Sequence, residues 1–581
     1  MALPTNRATD SLGVLLLLLW LSAGDRPLGP ARAAAAGGTT VQSPAGTIAQ
    51  NEVAATVGRV LASGEHPGLN WSAIPDVVDK LKPLYEAEAD RLLWFSGTTT
   101  GPLLQPALTA IAAAGDRGLD AADYDAAFLA ERWASIRAKT ATGPELAHFD
   151  LAVSVAAARM IKAVHLGRVD PATMQWGYGI AAKPLDVTGE VQEARQGKGL
   201  GAVLDSLEPA VSHYSRAKKL LAVYEAALRV GEPPALPELP RGQKKVEAGK
   251  PWNGVAQLKA RLRVFGDLPA TAAAGTSTDY NATLVEAVKR FQRRHGLEAD
   301  GVLGAGTIRV LNVSLAHRVR QIELAMERMR WLPQLSHRPN IFVNVPLFRL
   351  WATDPQTGAE PLRMNVVVGQ SLDHKTPIFV EELEYVIFRP YWVPPYGITV
   401  KEIVPHVQRD PSYFGREDLQ IVASGEDDAP ELPPTPENLA AVVAGTLHIR
   451  QKPGPKNSLG LAKFIFPNSE NVYMHGTPAQ QLFSRVRRDF SHGCIRLEDP
   501  ARFAQWVLRD EPEWTRERID AAMQGTKPTR VDLKEPITVV LFYDTVHVNS
   551  EGVAYFVEDI YGHDQELDVA LRRGYPYPVK S

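Results

Sequence analysis

The chain has 581 residues, of which 45% are hydrophobic, and a formal net charge of -3. This length predicts roughly three or four domains, each with enough apolar residues for a packed core. A nearly neutral chain lacks the basic field that attracts nucleic acid, so we exclude nucleic acid as a partner.

The first 33 residues carry the pattern of an export signal. Arg7 precedes the apolar run from Leu12 to Gly24, and Ala31-Arg32-Ala33 offers small residues for signal-peptidase cleavage. The run is shorter than the roughly 20 residues that span a bilayer. We predict a signal peptide over 1–33 and a location in the periplasm or cell envelope. The alternative is that the segment stays uncleaved as a membrane anchor. We predict no contact with the membrane other than through this segment.

Cys494 is the only cysteine in the chain. Oxidising compartments favour disulfides, so an unpaired thiol in an exported chain indicates that the thiol is used; an inert, buried cysteine is the alternative. His475 lies 19 residues upstream, close enough to return to the thiol across one turn or hairpin. A thiol beside a histidine is the minimal activated nucleophile.

The region 34–230 is predicted to be mostly helical. Leu151 and Val155 belong to a run at helical spacing, and a further helix is predicted over 214–230. Residues 231–250 are rich in proline, which favours an extended spacer over packed structure. We therefore place a domain boundary there.

A compact helical unit is predicted over 251–315. Leu284, Val288 and Phe291 recur at i, i+4 and i+7 in its central helix. The phrase AVKRFQRRHGLEADGVLGAGTIRVLN resembles the three-helix peptidoglycan-binding domain of bacterial cell-wall enzymes. That resemblance implies a wall-binding module, whereas periodicity by itself shows only a small helical domain and leaves a degenerate spacer open. A connecting helix is predicted over 316–337.

The pattern changes from helical to extended at about residue 338, which predicts a mainly β domain over 338–581. Ile341–Val345 alternates, and Glu384–Phe388 is a further strand. Near the C-terminus, strands over Ile537–Tyr543 and Val553–Val557 are predicted to form a hairpin.

An insertion over about 398–446 interrupts this domain with a helical piece and an acidic, proline-rich segment. Long insertions beside a site often act as lids or binding loops and are otherwise decoration, and we favour the lid. The predicted fold class is multidomain α+β.

Gly493 precedes the thiol and lets the backbone approach a substrate closely. Asp499-Pro500 marks a helix start, so we predict that Cys494 lies on a strand-to-helix turn. The backbone N–H groups of Gly493 and Cys494 are candidates to hold an oxyanion.

Arg496 is the candidate anion holder, because a guanidinium grips a carboxylate with two parallel hydrogen bonds. Arg485, Arg487 and Arg488 either add positive charge to the site or form a solvated basic helix face.

His492 either supports the turn or belongs to a metal site. Together with His475 and Cys494 it would supply three zinc ligands, but no second cysteine exists and the spacing fits no structural zinc pattern. We predict no metal and no cofactor.

The sequence MHGTP followed by SHGCIRL resembles the signature of the YkuD-type L,D-transpeptidases. The resemblance extends over VVVGQSLDHKTP, PYWVPPYGI, QKPGPKNSLGLAKFIFPN and the C-terminal DIYGHD. With the peptidoglycan-binding unit and MERMRWLP ahead of them, the order resembles the large YcbB-like subgroup. The resemblance implies a YkuD-like catalytic domain over 338–581 and a scaffold role for 34–230.

Carried over residue by residue, the resemblance implies that Cys494 is the nucleophile and His475 its proton-transfer partner. The Gly476 carbonyl would orient the imidazole in place of a carboxylate. The implied substrate-binding positions are Tyr473, Trp392, Ser491, His492 and Arg496.

The implied reaction joins two peptidoglycan stem peptides by a 3→3 cross-link through a Cys494 thioester, a step in cell wall biogenesis that bears on cell shape. Two alternatives stay open: an L,D-carboxypeptidase or anchoring enzyme of the same fold, and a non-catalytic wall-binding protein. The predicted partners are peptidoglycan stem peptides and cell-wall synthases.

Overall fold

The computed structural model describes residues 50–577 except 90, 97–98, 140, 179–182, 270–277, 336–337, 372–373, 427 and 576. The predicted signal peptide lies outside the described residues. The predicted architecture is confirmed, because a helical region, a three-helix unit and a mainly β domain follow one another along the chain. None of the helices described is long and apolar enough to cross a membrane.

The N-terminal region is built around one buried helix, Gly143–Leu166. A capping box fixes its start: Thr142 Oγ1 accepts from the Glu145 N–H, and the Glu145 carboxylate accepts from the Thr142 N–H at 2.8 Å. Apolar residues occupy every side of this helix, as expected for a helix surrounded by others. The helices packed around it are Gln50–Ser63, Val78–Ala87, Leu104–Ala112, Ala126–Ala138, Val187–Gln196 and Leu200–Leu207.

A second core joins the helix Ser212–Val230 to the three-helix unit. Tyr214 near the start of that helix is buried in this core rather than in the core around Gly143–Leu166. The packing therefore differs from the prediction, which assigned this helix to the region 34–230. Its apolar stripe faces the connecting helix and the unit beyond it. The three helices of the unit are Val255–Val264, Ala282–Arg294 and Ala305–Leu311.

The connecting helix, Leu315–Trp331, carries a fully buried carboxylate at Glu327. This carboxylate accepts from the Val169 N–H at 3.2 Å and pairs with Arg168 at 3.3 Å and Arg330 at 2.9 Å. Burial raises the pKa of Glu327, but the two guanidinium charges outweigh burial and the net pKa is lowered. One charged group thus ties the connecting helix to the N-terminal region.

The C-terminal domain is built on nine strands: β1 Asn340–Asn344, β2 Arg349–Thr353, β3 Leu362–Gly369, β4 Phe379–Phe388, β5 Ala462–Ile465, β6 Met474–His475, β7 Asp489–Ser491, β8 Ile495–Leu497 and β9 Thr529–Phe542. They form one sheet with the order β7-β3-β8-β6-β5-β4-β9-β1-β2, and β2 also pairs with β3. That extra pairing closes the sheet into a barrel-like ring whose interior is apolar. The helices Pro500–Val507, Arg516–Gln524 and His563–Arg572 contribute side chains to the same apolar core.

The insertion lies between β4 and β5 and forms a small subdomain with its own sheet and core. Ile403, Phe414 and Ile449 belong to that core. A bridge between Trp392 and Gln451 closes its base, so the subdomain is somewhat longer than the predicted 398–446. It contains the strands Leu419–Val422, Glu431–Leu432 and His448–Gln451, and the helices Tyr396–Ile398, Thr399–Ile403, Val404–Arg409, Ser412–Arg416 and Pro436–Val443.

The C-terminal hairpin pairs Val546–Val548 with Ala554–Phe556, which corrects the predicted first strand. The predicted strand Ile537–Tyr543 lies instead almost wholly in β9, which pairs with β1 and β4. The chain leaves the barrel after β9, and the hairpin packs in the second core with the three-helix unit. The hairpin thus connects the barrel to that unit.

Replacing Glu327 by Gln should destabilise the protein strongly, because the Arg168 and Arg330 guanidinium groups would lose their buried counter-charge. We expect the free energy of unfolding to fall by about 3 to 5 kcal/mol in urea denaturation followed by circular dichroism. The matched control is Glu86→Gln, which breaks the exposed Lys82–Glu86 pair and should cost less than about 1 kcal/mol. Equal, small losses for both variants would contradict the role assigned to Glu327.

Candidate active site

Three adjacent strands present polar side chains on one face. Lys463 of β5 lies opposite His475 of β6, and His475 lies opposite Arg496 of β8. The alternate residues Phe464, Met474 and Ile495 are fully buried in the barrel. Because successive side chains of a strand point to opposite faces, the polar row lies on the outer face of the barrel.

Cys494 lies on the turn between β7 and β8 rather than on the predicted strand-to-helix turn. The predicted helix begins six residues after Cys494, at Pro500, where the Asp499 carboxylate caps it by accepting from the Arg502 N–H at 2.9 Å. The short strand β8 was missed because three residues give too little alternation to identify. As a consequence, the side chains of Cys494 and Arg496 lie on the same face of the sheet as that of His475.

Hydrogen bonds fix the turn that carries the thiol. Gly493 has a φ of 108°, which L side chains rarely adopt. Its carbonyl accepts from Thr376 Oγ1 at 2.8 Å, and its N–H donates to Ser491 Oγ at 3.2 Å. Ser491 Oγ in turn donates to the Cys494 carbonyl at 2.6 Å. Ser491 is buried and shapes the turn, and the predicted oxyanion donor at Gly493 is bonded within it.

The Cys494 thiol is half-buried and points to the Asn471 carbonyl at 3.9 Å. Burial raises the pKa of Cys494, while the Tyr473 N–H, the Lys463 charge and the Tyr473 hydroxyl act in the opposite direction. The residues described show no hydrogen bond from the Cys494 N–H.

His475 is 5% exposed, and its Nδ1 donates to the Gly476 carbonyl at 2.5 Å. Burial and then the positive charge of Arg496 lower the pKa of His475 to about 3. The imidazole is therefore neutral near pH 7, with its lone pair on Nε2. A neutral imidazole in this tautomer is equipped to accept a proton.

Lys463 is a site residue that the sequence analysis missed. Its Nζ lies 4.0 Å from the centre of the Tyr473 ring, and that ring lies 5.7 Å from the ring of His475. Burial lowers the pKa of Lys463, and Cys494 counteracts this effect. The available signal was a lysine between the buried Ala462 and Phe464 of a strand pattern.

The remaining predicted positions are spread around the turn. Arg496 shares the outer face, and its Nε is buried without a hydrogen bond in the part of the chain described. His492 is exposed and pairs with Glu402 of the insertion at 3.0 Å. Trp392 packs partly buried against the core of the insertion.

The three arginines between base and thiol separate into different roles. Arg488 is buried and donates to the carbonyls of Phe348 and Val366, so it is structural. Arg487 is exposed and pairs with the buried Asp489. Arg485 is exposed.

The C-terminal DIYGHD segment supports the turn that carries Cys494 through hydrogen bonds. The Tyr561 hydroxyl donates to the Gly369 carbonyl at 2.6 Å and accepts from the Thr376 N–H at 3.1 Å. Thr376 is the residue that binds the Gly493 carbonyl. Residues near the end of the chain therefore position the turn that carries Cys494.

Three family models match the chain. The one described as "L,D-transpeptidase catalytic domain" (YkuD) matches residues 338–533. "Scaffold domain" matches 79–221, and "Putative peptidoglycan binding domain" matches 253–311.

A curated protein of Haemophilus influenzae, named "Putative L,D-transpeptidase", is 27% identical over 252 residues, which are 43% of this chain and 49% of that protein. The chain thus spans about half the length of this relative. A solved L,D-transpeptidase structure from Xylanimonas cellulosilytica is 15% identical and covers 52% of this chain and 100% of its own, with a TM-score of 0.16.

Fold and site together define a barrel-like domain with a thiol and a neutral imidazole on its outer face. The chain carries a YkuD L,D-transpeptidase catalytic domain, preceded by a scaffold domain and a peptidoglycan-binding domain.

The electrostatics predict an unusual pH profile for the thiol. The depressed pKa of His475 keeps the imidazole neutral as pH falls through 6.5, so it contributes no inflection there. The raised pKa of Cys494 places thiolate formation above the ordinary value of about 8.5. Iodoacetamide alkylation of Cys494 should therefore rise in a single step at alkaline pH. A second step near 6.5 that disappears in His475→Gln would contradict this assignment.

Proposed function

We propose that this protein is an L,D-transpeptidase that forms 3→3 cross-links between diaminopimelate residues of peptidoglycan. The observation that carries the proposal is the shared face of Cys494 and a buried, neutral His475 whose Nδ1 is held by Gly476. The matched catalytic and peptidoglycan-binding domains support the same substrate.

In the first half-reaction, His475 Nε2 takes the thiol proton as Cys494 Sγ attacks the carbonyl at the L-centre of diaminopimelate in a donor tetrapeptide. The Cys494 N–H donates a hydrogen bond to the developing oxyanion. The Gly493 N–H becomes a second donor when it releases its hydrogen bond to Ser491. The C–N bond to the terminal D-Ala breaks, and the departing amine takes the proton back from His475. The product is a thioester on Cys494 and free D-Ala.

Two cations favour the negative charge that develops in this step. Lys463 and Arg496 both lower the pKa of Cys494, which burial raises. Before the thiol proton is transferred, His475 is neutral, so these two side chains supply the positive charge beside the sulfur. Arg496 is placed to bind a carboxylate of the stem peptide with its buried Nε.

In the second half-reaction, the side-chain amine of a neighbouring stem attacks the thioester carbonyl. The amine loses a proton to His475, the C–S bond breaks, and the thiol is restored with that proton. Tyr473 and Trp392 are proposed to contact the stem peptides. No metal or nucleotide is required for either half-reaction.

The cellular setting belongs to the same proposal. We assign the chain to the YcbB-like subgroup, place it in the cell envelope after export by residues 1–33, and expect cell-wall synthases as protein partners. The insertion is proposed to act as a lid, supported by the His492–Glu402 pair between it and the thiol-bearing turn.

Muropeptide analysis tests the reaction directly in a bacterium that lacks its own L,D-transpeptidases. The wild type should produce 3→3 dimers, Cys494→Ala should produce none, and His475→Ala should lose at least about 100-fold. The matched control is His317→Ala, because His317 is an exposed histidine outside the site.

The remaining outcomes discriminate between the alternatives. Tripeptides without dimers would identify water as the acceptor and the protein as an L,D-carboxypeptidase. Unchanged muropeptides with folded wild-type protein would favour the non-catalytic wall-binding protein.

A further inference from the structure

A large concavity lies away from the thiol, where the barrel meets the three-helix unit and the C-terminal hairpin. This cleft has a volume of about 980 Å³. Its barrel wall is the outer face of β2 and β3, and its other walls come from the helix Ser212–Val230, the end of the helix Ala282–Arg294 and the hairpin. Its volume is at the upper end of the range for small-molecule pockets, so the cleft has room for part of a polymer.

Arginines dominate the charged lining of the cleft. Seven arginines line it, against the three carboxylates Asp544, Glu551 and Glu558. The whole chain carries a formal charge of -3, so this concentration of positive charge is local. The lining arginines are Arg216, Arg293, Arg349, Arg363, Arg485, Arg487 and Arg488.

Two of these arginines stand exposed on the barrel wall. Arg349 of β2 and Arg363 of β3 flank Trp351, which lies directly opposite Arg363 in the ladder. The only described carboxylate near Arg363 is that of exposed Glu360, at 3.9 Å. Arg349 is exposed and forms no ion pair within the described residues. These two guanidinium groups are therefore available to a ligand.

The positive charge acts on a neighbouring imidazole, that of His547. Burial lowers the pKa of His547 to about 2, and His213, Arg216, Arg363 and Arg349 all act in the same direction. Together with its volume and its exposed guanidinium groups, this field indicates that the cleft is built to receive negative charge.

Aromatic rings line the cleft between the charges. Trp351 stacks on His547 at 4.9 Å, and His547 stacks on His213 at 4.7 Å, which forms a continuous wall from the barrel to the helix Ser212–Val230. Tyr555 lines the same side. Aromatic faces pack well against the apolar faces of sugar rings, and guanidinium groups bind carboxylates.

We propose that this cleft is a second binding site, separate from the thiol, for a carboxylate-bearing glycan–peptide strand of the wall. Arg349 and Arg363 bind carboxylates of the strand, and the Trp351 side of the cleft contacts its sugars. The proposal rests on the proposed function, because it takes the same polymer as ligand. It adds a site that holds one strand while the thiol reacts with stem peptides.

The test measures binding of soluble disaccharide–tetrapeptide oligomers by isothermal titration calorimetry, in a Cys494→Ala background that prevents turnover. The double variant Arg349→Gln/Arg363→Gln should bind at least about tenfold more weakly, because two charge-assisted contacts are lost. The matched control, Arg91→Gln/Arg137→Gln, removes two exposed arginines of the N-terminal region and should bind as tightly as the parent.

A second arm needs no variant: the same oligomers with methyl-esterified carboxylates should bind at least about tenfold more weakly than the free acids. Equal affinities of the double variant and the parent, or equal affinities for ester and acid, would overturn the cleft proposal. Acylation of the wild-type thiol is scored separately. Arginine-dependent binding without acylation would uphold the cleft and contradict only the proposed chemistry.

Discussion

The buried carboxylate of Glu327 is the interaction on which the arrangement of the domains depends. It lies on the connecting helix and forms ion pairs with Arg168 of the N-terminal region and Arg330 of its own helix. The next residue of the connecting helix, Arg328, forms an ion pair with Asp564 of the C-terminal helix at 2.6 Å. A buried ion pair adds little net stability but is costly to break, so this helix fixes one relative placement of the scaffold and the barrel.

The same C-terminal segment also supports the thiol. Tyr561 binds Gly369 and Thr376, and Thr376 binds the Gly493 carbonyl, so the turn around Cys494 is fixed by residues distant in sequence. Burial then sets the chemistry of the face: it keeps His475 neutral and the Cys494 thiol protonated. For the proposed reaction, these charges favour proton transfer during attack over a preformed thiolate–imidazolium pair.

Much of the fold could be predicted from sequence, because long helices and alternating strands leave strong periodic patterns. The error at the hairpin arose because two adjacent β segments, β9 and Val546–Val548, are separated by only three residues. The motifs placed Cys494 and His475, but not Lys463, whose relevance depends on the register between β5 and β6. The hydrogen bonds of Ser491 could not be predicted from the sequence either, because they depend on the shape of one turn.

Intact-mass spectrometry of the mature protein treated with a carbapenem tests the central claim, that Cys494 is an acyl-accepting nucleophile. The strained β-lactam carbonyl is an acyl donor, so the account predicts one adduct that maps to Cys494 and is absent from Cys494→Ala. A folded wild-type protein that forms no adduct, or an adduct that persists in Cys494→Ala, would contradict it.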